Sequence, residues 1–180
     1  MFSALIQKMT LPAFAALAAA GGGLIAAASG EPEPAYGYEA RAMEASAAAQ
    51  SAEIVFEKAD LNNDGGIDRD EYVTLAIVNA ELFRLNGFVA IETADGVEKV
   101  AIAAPAKAAL TEDEKRTIRA RSSLEYDRLA GYDHKLTQRD FVDSKLEEFF
   151  AADVDRNGVL TGAELERFAF NQSRIGVLIG

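Results

Sequence analysis

The 180-residue sequence predicts a mainly α-helical protein with one small β-hairpin. Apolar residues recur every three or four positions through most of the chain, which is the helical period. Two twelve-residue segments rich in Asp, Asn and Gly interrupt this pattern, at 60–71 and 153–164. One stretch, around 88–102, alternates apolar and polar residues as paired strands do. Together these observations predict helices joined by acidic loops, with a hairpin inserted among them.

The composition limits the classes of partner. Lys and Arg total 18 against 29 Asp and Glu, which gives a formal net charge of -11. This charge repels nucleic acid phosphates and anionic lipid, and attracts cations and basic molecules. Cysteine is absent, so the chain has neither a disulfide framework nor a thiolate metal site. We expect no nucleic acid partner; a cation and a basic or amphipathic protein segment fit better.

Residues 1–30 have the order of a secretory signal peptide. A short start containing Lys8 precedes the uncharged run 11–28, and small residues follow to Gly30. The rival interpretation is an uncleaved membrane anchor, because 18 apolar residues nearly span a bilayer. The Ala, Gly and Pro content makes the run weakly hydrophobic, which favours cleavage. We expect a periplasmic or secreted protein, with membrane attachment, facing outside, only if the segment is retained.

The remaining residues predict a linker over 31–45, a helical domain over 46–172 with an insert at 86–110, and an apolar tail at 173–180. Helices are predicted over 39–59, 69–85, 111–129 and 137–152, with another after the second acidic loop. Thr111 and Glu114 form a capping-box pattern. The helix 69–85 is apolar on more than one side, so it is either deeply buried or offers a surface to a partner.

The first acidic loop has the donor spacing that calcium requires. Calcium binds six to eight oxygens, which a twelve-residue loop supplies from positions 1, 3, 5, 7, 9 and 12. At these positions the first loop has Asp60, Asn62, Asp64, the carbonyl of Gly66, Asp68 and Glu71. Gly65 stands at position 6, where the chain turns with a positive φ.

The second acidic loop repeats the pattern. Its ligand positions hold Asp153, Asp155, Asn157, the carbonyl of Val159, Thr161 and Glu164, and Gly158 is the turn residue. Both loops end in Glu, which can bind through two oxygens and so favours calcium over magnesium. We therefore predict two calcium ions. The first loop has four carboxylates against three, which predicts the tighter site there.

These residues resemble the EF-hand superfamily, and the signal-like start resembles small exported bacterial EF-hand proteins. The resemblance covers about residues 50–75 and 124–170. It implies helix–loop–helix units, calcium binding and a sensor, buffer or structural role. A degenerate third hand lies between them, because Asp133, Leu136, Thr137 and Asp140 match loop positions 5, 8, 9 and 12. It lacks the first Asp and the turn Gly, where His134 stands, so we predict that it binds no calcium.

The spacing also predicts how the loops pair. Twelve residues separate Asp140 from Asp153, so one helix of about 18 Å holds the degenerate loop and the second loop apart. The apolar residue Leu160, at position 8, is then expected to pair with Ile67 of the first loop. We predict that the loops 60–71 and 153–164 lie side by side.

We consider three classes of function for this sequence. The favoured one is an exported calcium sensor or calcium-stabilised binding module. The alternative is a buffer or structural protein without a partner, in which calcium holds the fold. A metal-dependent hydrolase is disfavoured, since one His, no Cys and no HExxH or Ser–His–Asp pattern leave no recognisable catalytic set. We expect no enzyme activity.

Overall fold

The computed structural model describes residues 38–93, 96–102, 108–131 and 135–178. The signal-like segment 1–30, the first half of the predicted linker, and Asp133 and His134 of the degenerate loop lie outside the described residues.

The described residues form five α-helices and seven short strands. The helices are α1 (Ala45–Ala59), α2 (Arg69–Asn86), α3 (Glu112–Ala130), α4 (Gln138–Ala152) and α5 (Gly162–Gln172). The strands are β1 (Tyr38–Glu39), β2 (Ala42–Glu44), β3 (Gly66–Ile67), β4 (Phe88–Thr93), β5 (Gly96–Ala101), β6 (Leu136–Thr137) and β7 (Val159–Thr161). The mainly helical fold class is confirmed. The predicted start of the first helix at residue 39 is wrong, because α1 begins at Ala45 and β2 precedes it. Strands β1 and β2 both lie within the predicted linker.

The predicted hairpin is confirmed. Strands β4 and β5 pair antiparallel, from Phe88 opposite Ala101 to Thr93 opposite Gly96. Strand β1 adds to the free edge of β5 in parallel register. The hairpin follows α2 directly, because Gly87 closes that helix in the left-handed conformation at φ 75°.

The predicted pairing of the two complete loops is wrong. Ile67 lies opposite Leu136, so the first loop pairs with the degenerate hand. Leu160 lies opposite Met43, in the strand that precedes α1. The reason is that a β bridge uses backbone groups and one apolar side chain, neither of which depends on metal ligands. A degenerate loop that keeps its apolar residue therefore still serves as a partner.

The two pairings give the fold an approximate twofold repeat. Each unit is a short strand, a 15-residue helix, a twelve-residue loop and a second helix, with matching residues 93 positions apart. The leading strand of each unit pairs with the loop strand of the other. Helices α1 and α4, which pack on each other, must therefore run antiparallel. Each acidic loop lies at one end of this helix pair.

Aromatic side chains fill both ends of the pair. Near the first loop, the Phe56 and Phe141 rings have centroids 6.0 Å apart. Near the second, Phe149 and Phe168 meet edge to face at 5.9 Å. Phe150, the neighbour of Phe149 in the chain, is 56% exposed.

Helix α2 is deeply buried on two sides. Tyr72, Leu75 and Val78 belong to the core beside the first loop, whereas Ile77 and Phe83 belong to a separate core. That second core also contains Ile175 of the apolar tail, where Ile175–Leu178 forms a short 3-10 turn. Most apolar residues on both sides of this helix thus pack within the chain, whereas Leu85 near its end is 46% exposed.

A buried charge network ties the tail to three helices. Arg174 lies 3.1 Å from a Glu125 oxygen and 3.5 Å from Glu148, and donates to the Tyr72 hydroxyl at 3.2 Å. Lys145 binds the same Glu148 oxygen at 3.0 Å. Burial lowers the pKa of the Lys145 ammonium. The two cations and two carboxylates neutralise one another, which makes their burial tolerable.

Among the described residues, no helix is both long enough and apolar enough to cross a membrane.

The observed pairing predicts which side chains are energetically coupled. Ile67→Ala and Leu136→Ala should each destabilise the fold by about 2–5 kcal/mol. Their double variant should show a coupling energy of about 0.5–3 kcal/mol, because the two side chains share one core. Denaturant unfolding in saturating calcium measures these quantities.

The control cycle pairs Ile67→Ala with Leu160→Ala. These side chains belong to separate cores, so their effects should add within about 0.5 kcal/mol. Strong coupling between residues 67 and 160, with additivity between 67 and 136, would contradict the observed topology.

Candidate calcium sites

The first loop connects α1 to α2 and is folded around its own carboxylates. The Asp60 carboxylate accepts from the backbone N–H groups of Asp64 at 3.1 Å and Gly65 at 2.9 Å. Glu71 reaches back across the loop, where one of its oxygens accepts from the N–H of Leu61 at 2.9 Å. The first and last predicted ligands thus hold the loop closed from both ends.

The same Glu71 begins the next helix. Its side chain accepts from the backbone N–H of Asp68 at 2.9 Å, and the Asp68 side chain accepts from the N–H of Glu71 at 2.8 Å. This reciprocal pair is a capping box, which satisfies backbone donors that the helix leaves unpaired. Both residues are therefore structural caps as well as predicted ligands.

The second loop, between α4 and α5, repeats the hydrogen bonds that close the first loop, but its N-cap residue Thr161 makes no side-chain cap bond. Asp153 accepts from the N–H groups of Asn157 at 3.2 Å and Gly158 at 2.9 Å. Glu164 accepts from the N–H of Val154 at 2.9 Å. Asp155 also accepts from the Asn157 N–H, at 3.1 Å. Side chains at positions 1 and 3 thus have the same roles in both loops, and the Glu at position 12 reaches back to the loop start in both, although only Glu71 also forms a capping box.

Matching backbone angles make these bonds possible. Gly65 and Gly158 have φ values of 84° and 80°, as predicted for position 6. Asn63 and Arg156, at position 4, are also left-handed, at 56° and 58°. An Arg in this region is uncommon, so the remaining loop bonds must hold it there. Sequence reasoning did not single out position 4, since neither residue is a ligand.

Three carboxylates converge in the second loop. Asp153, Asp155 and Glu164 each offer a carboxylate oxygen, and these oxygens lie within 4.8 Å of one another. Across the ranges that the structure describes, no other set of three acidic or histidine side chains meets that distance. Hard carboxylate oxygens gathered at this spacing suit calcium, which coordinates at 2.3–2.6 Å. The donor set therefore fits the predicted ion.

A lysine from the degenerate hand contacts the first loop. The Lys135 ammonium lies 2.9 Å from Oδ1 of Asp64 and donates to the Asp64 backbone carbonyl at 3.2 Å. The hydrogen bond from the Lys135 ammonium to the Asp64 carboxylate holds the pKa of that carboxyl below its usual range. Sequence reasoning missed the contact, because it follows from the unexpected pairing of β3 with β6.

The degenerate hand keeps the shape of its exit but not the ligands. At its position 12, Asp140 accepts from the hydroxyl of Thr137 at 2.6 Å, and Thr137 caps α4 through the Asp140 N–H. The shorter Asp140 carboxylate is thus engaged at the helix start. The prediction that this hand binds no calcium remains a prediction, because residues 132–134 lie outside the described residues.

Comparison with protein families supports the same two loops. The family described as EF hand matches residues 52–76 and 146–169. Each match contains the end of one helix, one acidic loop and the start of the next helix. The chain therefore contains two EF-hand regions. Compared as a whole, it gives no significant match among curated proteins or among solved structures.

The predicted ligands all lie in the two loops that these EF-hand regions contain. The two EF-hand regions support calcium-ion binding, and their number fits two ions. The degenerate hand lies outside both family matches.

Truncating the last ligand of each loop should remove one ion. Glu71→Gln and Glu164→Gln each replace a carboxylate that can bind through two oxygens by a neutral amide. Calorimetric titration should count two calcium ions in the unmodified protein and one in each variant.

Asp140→Asn is the matched control, since it makes the same chemical change at position 12 of the degenerate hand. It should leave the count at two. A loss of calcium in Asp140→Asn, or a count of three in the unmodified protein, would show that the degenerate hand is a site.

Proposed function

We propose that this protein is an exported, calcium-stabilised binding module without enzyme activity. The observation that carries the proposal is the placement of the two loops at opposite ends of the antiparallel pair α1–α4. Each loop follows the end of one helix of this pair. The strand inside the loop pairs with the strand that leads into the other helix. Closing both loops therefore fixes both ends of the helix pair.

Bound calcium would supply a divalent charge that offsets repulsion among the loop carboxylates. The residues that would hold it in the first loop are Asp60, Asn62, Asp64, the carbonyl of Gly66, Asp68 and Glu71. In the second they are Asp153, Asp155, Asn157, the carbonyl of Val159, Thr161 and Glu164. Without the ion, these like charges oppose loop closure, so calcium affinity and folding free energy are linked.

An apolar cavity of about 380 Å³ supports the binding-module part of the proposal. It lies between the hairpin and the helices, with Val55, Leu75, Leu82, Phe88 and Ile91 among its lining residues. Leu85, also in its lining, is 46% exposed, so apolar surface reaches the opening. We propose that a basic or amphipathic protein segment inserts an apolar side chain here, since the acidic chain attracts basic partners.

The alternative is a calcium buffer or structural protein without a partner. It is favoured if the cavity keeps the same exposure with and without calcium. Fluorescence of an apolar dye separates the two functions, because a sensor exposes additional apolar surface on binding calcium and a buffer does not. The export part of the proposal rests on the sequence of residues 1–30 alone.

Removing calcium should strongly destabilise the fold. At a free calcium concentration one hundred times the dissociation constant, linkage contributes about 2.7 kcal/mol per site. Two sites then contribute about 5 kcal/mol, which is comparable with the stability of a small domain. Melting followed by circular dichroism, in millimolar calcium and in chelator, should show a fall of many degrees.

The double variant Glu71→Gln with Glu164→Gln is the control, because it should melt at one temperature in both buffers. Added salt should partly restore the chelated unmodified protein by screening the carboxylates. Equal melting temperatures for the unmodified protein with and without calcium would refute the proposed coupling of binding to folding.

A further inference from the structure

The two loops share one conformation but differ in what covers them. Strand β6 pairs with the first loop and strand β2 with the second, and their residues correspond at 93 positions apart. Lys135 therefore corresponds to Ala42, and both residues are exposed. The lysine reaches a predicted ligand of its loop, and the alanine has no side chain that could do so.

The Lys135 side chain is held over the first loop by packing and by hydrogen bonds. Its ammonium contacts both the carboxylate and the backbone carbonyl of Asp64. Its aliphatic stem lies over Gly66, where an added Cβ would fall 2.2 Å from Cε of the lysine. Gly66 thus leaves room for the lysine, whereas the second loop has Val159 at the same position.

The contact engages the ligand that calcium would need. Asp64 Oδ1, at position 5, already accepts from the ammonium and from the backbone N–H of Gly66 at 3.2 Å. The second loop gathers three carboxylates at positions 1, 3 and 12, whereas the first loop has the neutral Asn62 at position 3. A calcium ion must either displace the ammonium from Asp64 or bind beside it.

We propose that Lys135 is a tethered cation that competes with calcium at the first loop and makes it the weaker of the two sites. This inference rests on the proposed calcium binding and concerns the ranking and tuning of its sites. It opposes the ranking that the carboxylate count predicts, because one of the four carboxylates is already neutralised within the chain.

Elementary electrostatics gives the expected size of the effect. An ammonium that stays on Asp64 would lie roughly 5–6 Å from an ion bound to the same carboxylate. Repulsion between a single and a double charge at that distance weakens binding roughly tenfold in water and about threefold at physiological salt. Displacing the exposed ion pair instead costs a similar or smaller factor.

The test isolates each site and removes the charge. In the Glu164→Gln background only the first loop binds, and Lys135→Met there keeps the aliphatic stem while removing the ammonium. Calorimetric titration with calcium should show a dissociation constant about three to ten times lower. Lys135→Arg should change it by less than about twofold, and high salt should reduce the gain from Lys135→Met.

Two control variants separate a local effect from a general change of charge. Arg116→Met also removes one positive charge, but Arg116 is paired with Asp113 near the start of α3, about 20 Å along the helix from its end at Ala130. It should alter the first-loop constant by less than about twofold. Ala42→Lys, in the Glu71→Gln background, places the charge over the second loop and should weaken that site severalfold.

The outcomes distinguish this inference from the proposed function. When Lys135 is present, the second loop, measured in the Glu71→Gln background, should have a lower calcium dissociation constant than the first loop, measured in the Glu164→Gln background. If both loops bind but Lys135→Met behaves like Arg116→Met, or Ala42→Lys leaves the second loop unchanged, the tethered-cation inference is wrong. If neither single-loop background takes up calcium while the chain stays folded by circular dichroism, the proposed function fails and the inference with it.

Discussion

The antiparallel contact between α1 and α4 is the constraint on which the rest of this structure depends. Each helix begins at a strand and ends in an acidic loop, and the strand before one helix pairs with the loop after the other. A loop that opens therefore loosens the entry of the opposite helix as well as its own exit. The fold thus links the two candidate calcium sites through one packed helix pair.

The remaining elements stabilise this helix pair from outside. Helix α2 covers it on one side and carries Tyr72 into the buried charge network around Arg174. Arg174 also links α3 and α4 through Glu125 and Glu148, so the C-terminal tail closes the helical core. Removing Glu148 would leave the buried Lys145 ammonium without its carboxylate partner, which is the costly way to break such a network. The tail is thus a structural element.

The sequence was sufficient for the parts of the fold that local patterns determine. The two loops, their left-handed glycines, the capping box at Thr111 and the hairpin all follow from residues close together in the chain. The loop pairing did not follow, because it depends on Met43, which lies in a segment without a strand pattern of its own. The degenerate loop was also undervalued as a partner, although Leu136 keeps the one side chain that pairing needs.

The charged contacts were the least predictable from sequence, since each joins distant residues. Lys135 and Asp64 are 71 residues apart, and Arg174 and Tyr72 are 102 apart. A lysine next to a loop that has lost its ligands has no local sign of a role. Only the pairing of β3 with β6 brings it onto a ligand of the neighbouring site. Reading the ligand positions alone therefore overestimates the charge available to a metal in the first loop.

The distance between the two bound ions tests this account most directly. Gd³⁺ binds the same oxygen ligands, and double electron–electron resonance measures the separation of two such ions in the saturated protein. Loops at opposite ends of the 15-residue helices predict a separation of about 20–30 Å. Loops that pair side by side through one β bridge would hold the ions on the order of 10 Å apart, and that result would contradict the fold described above.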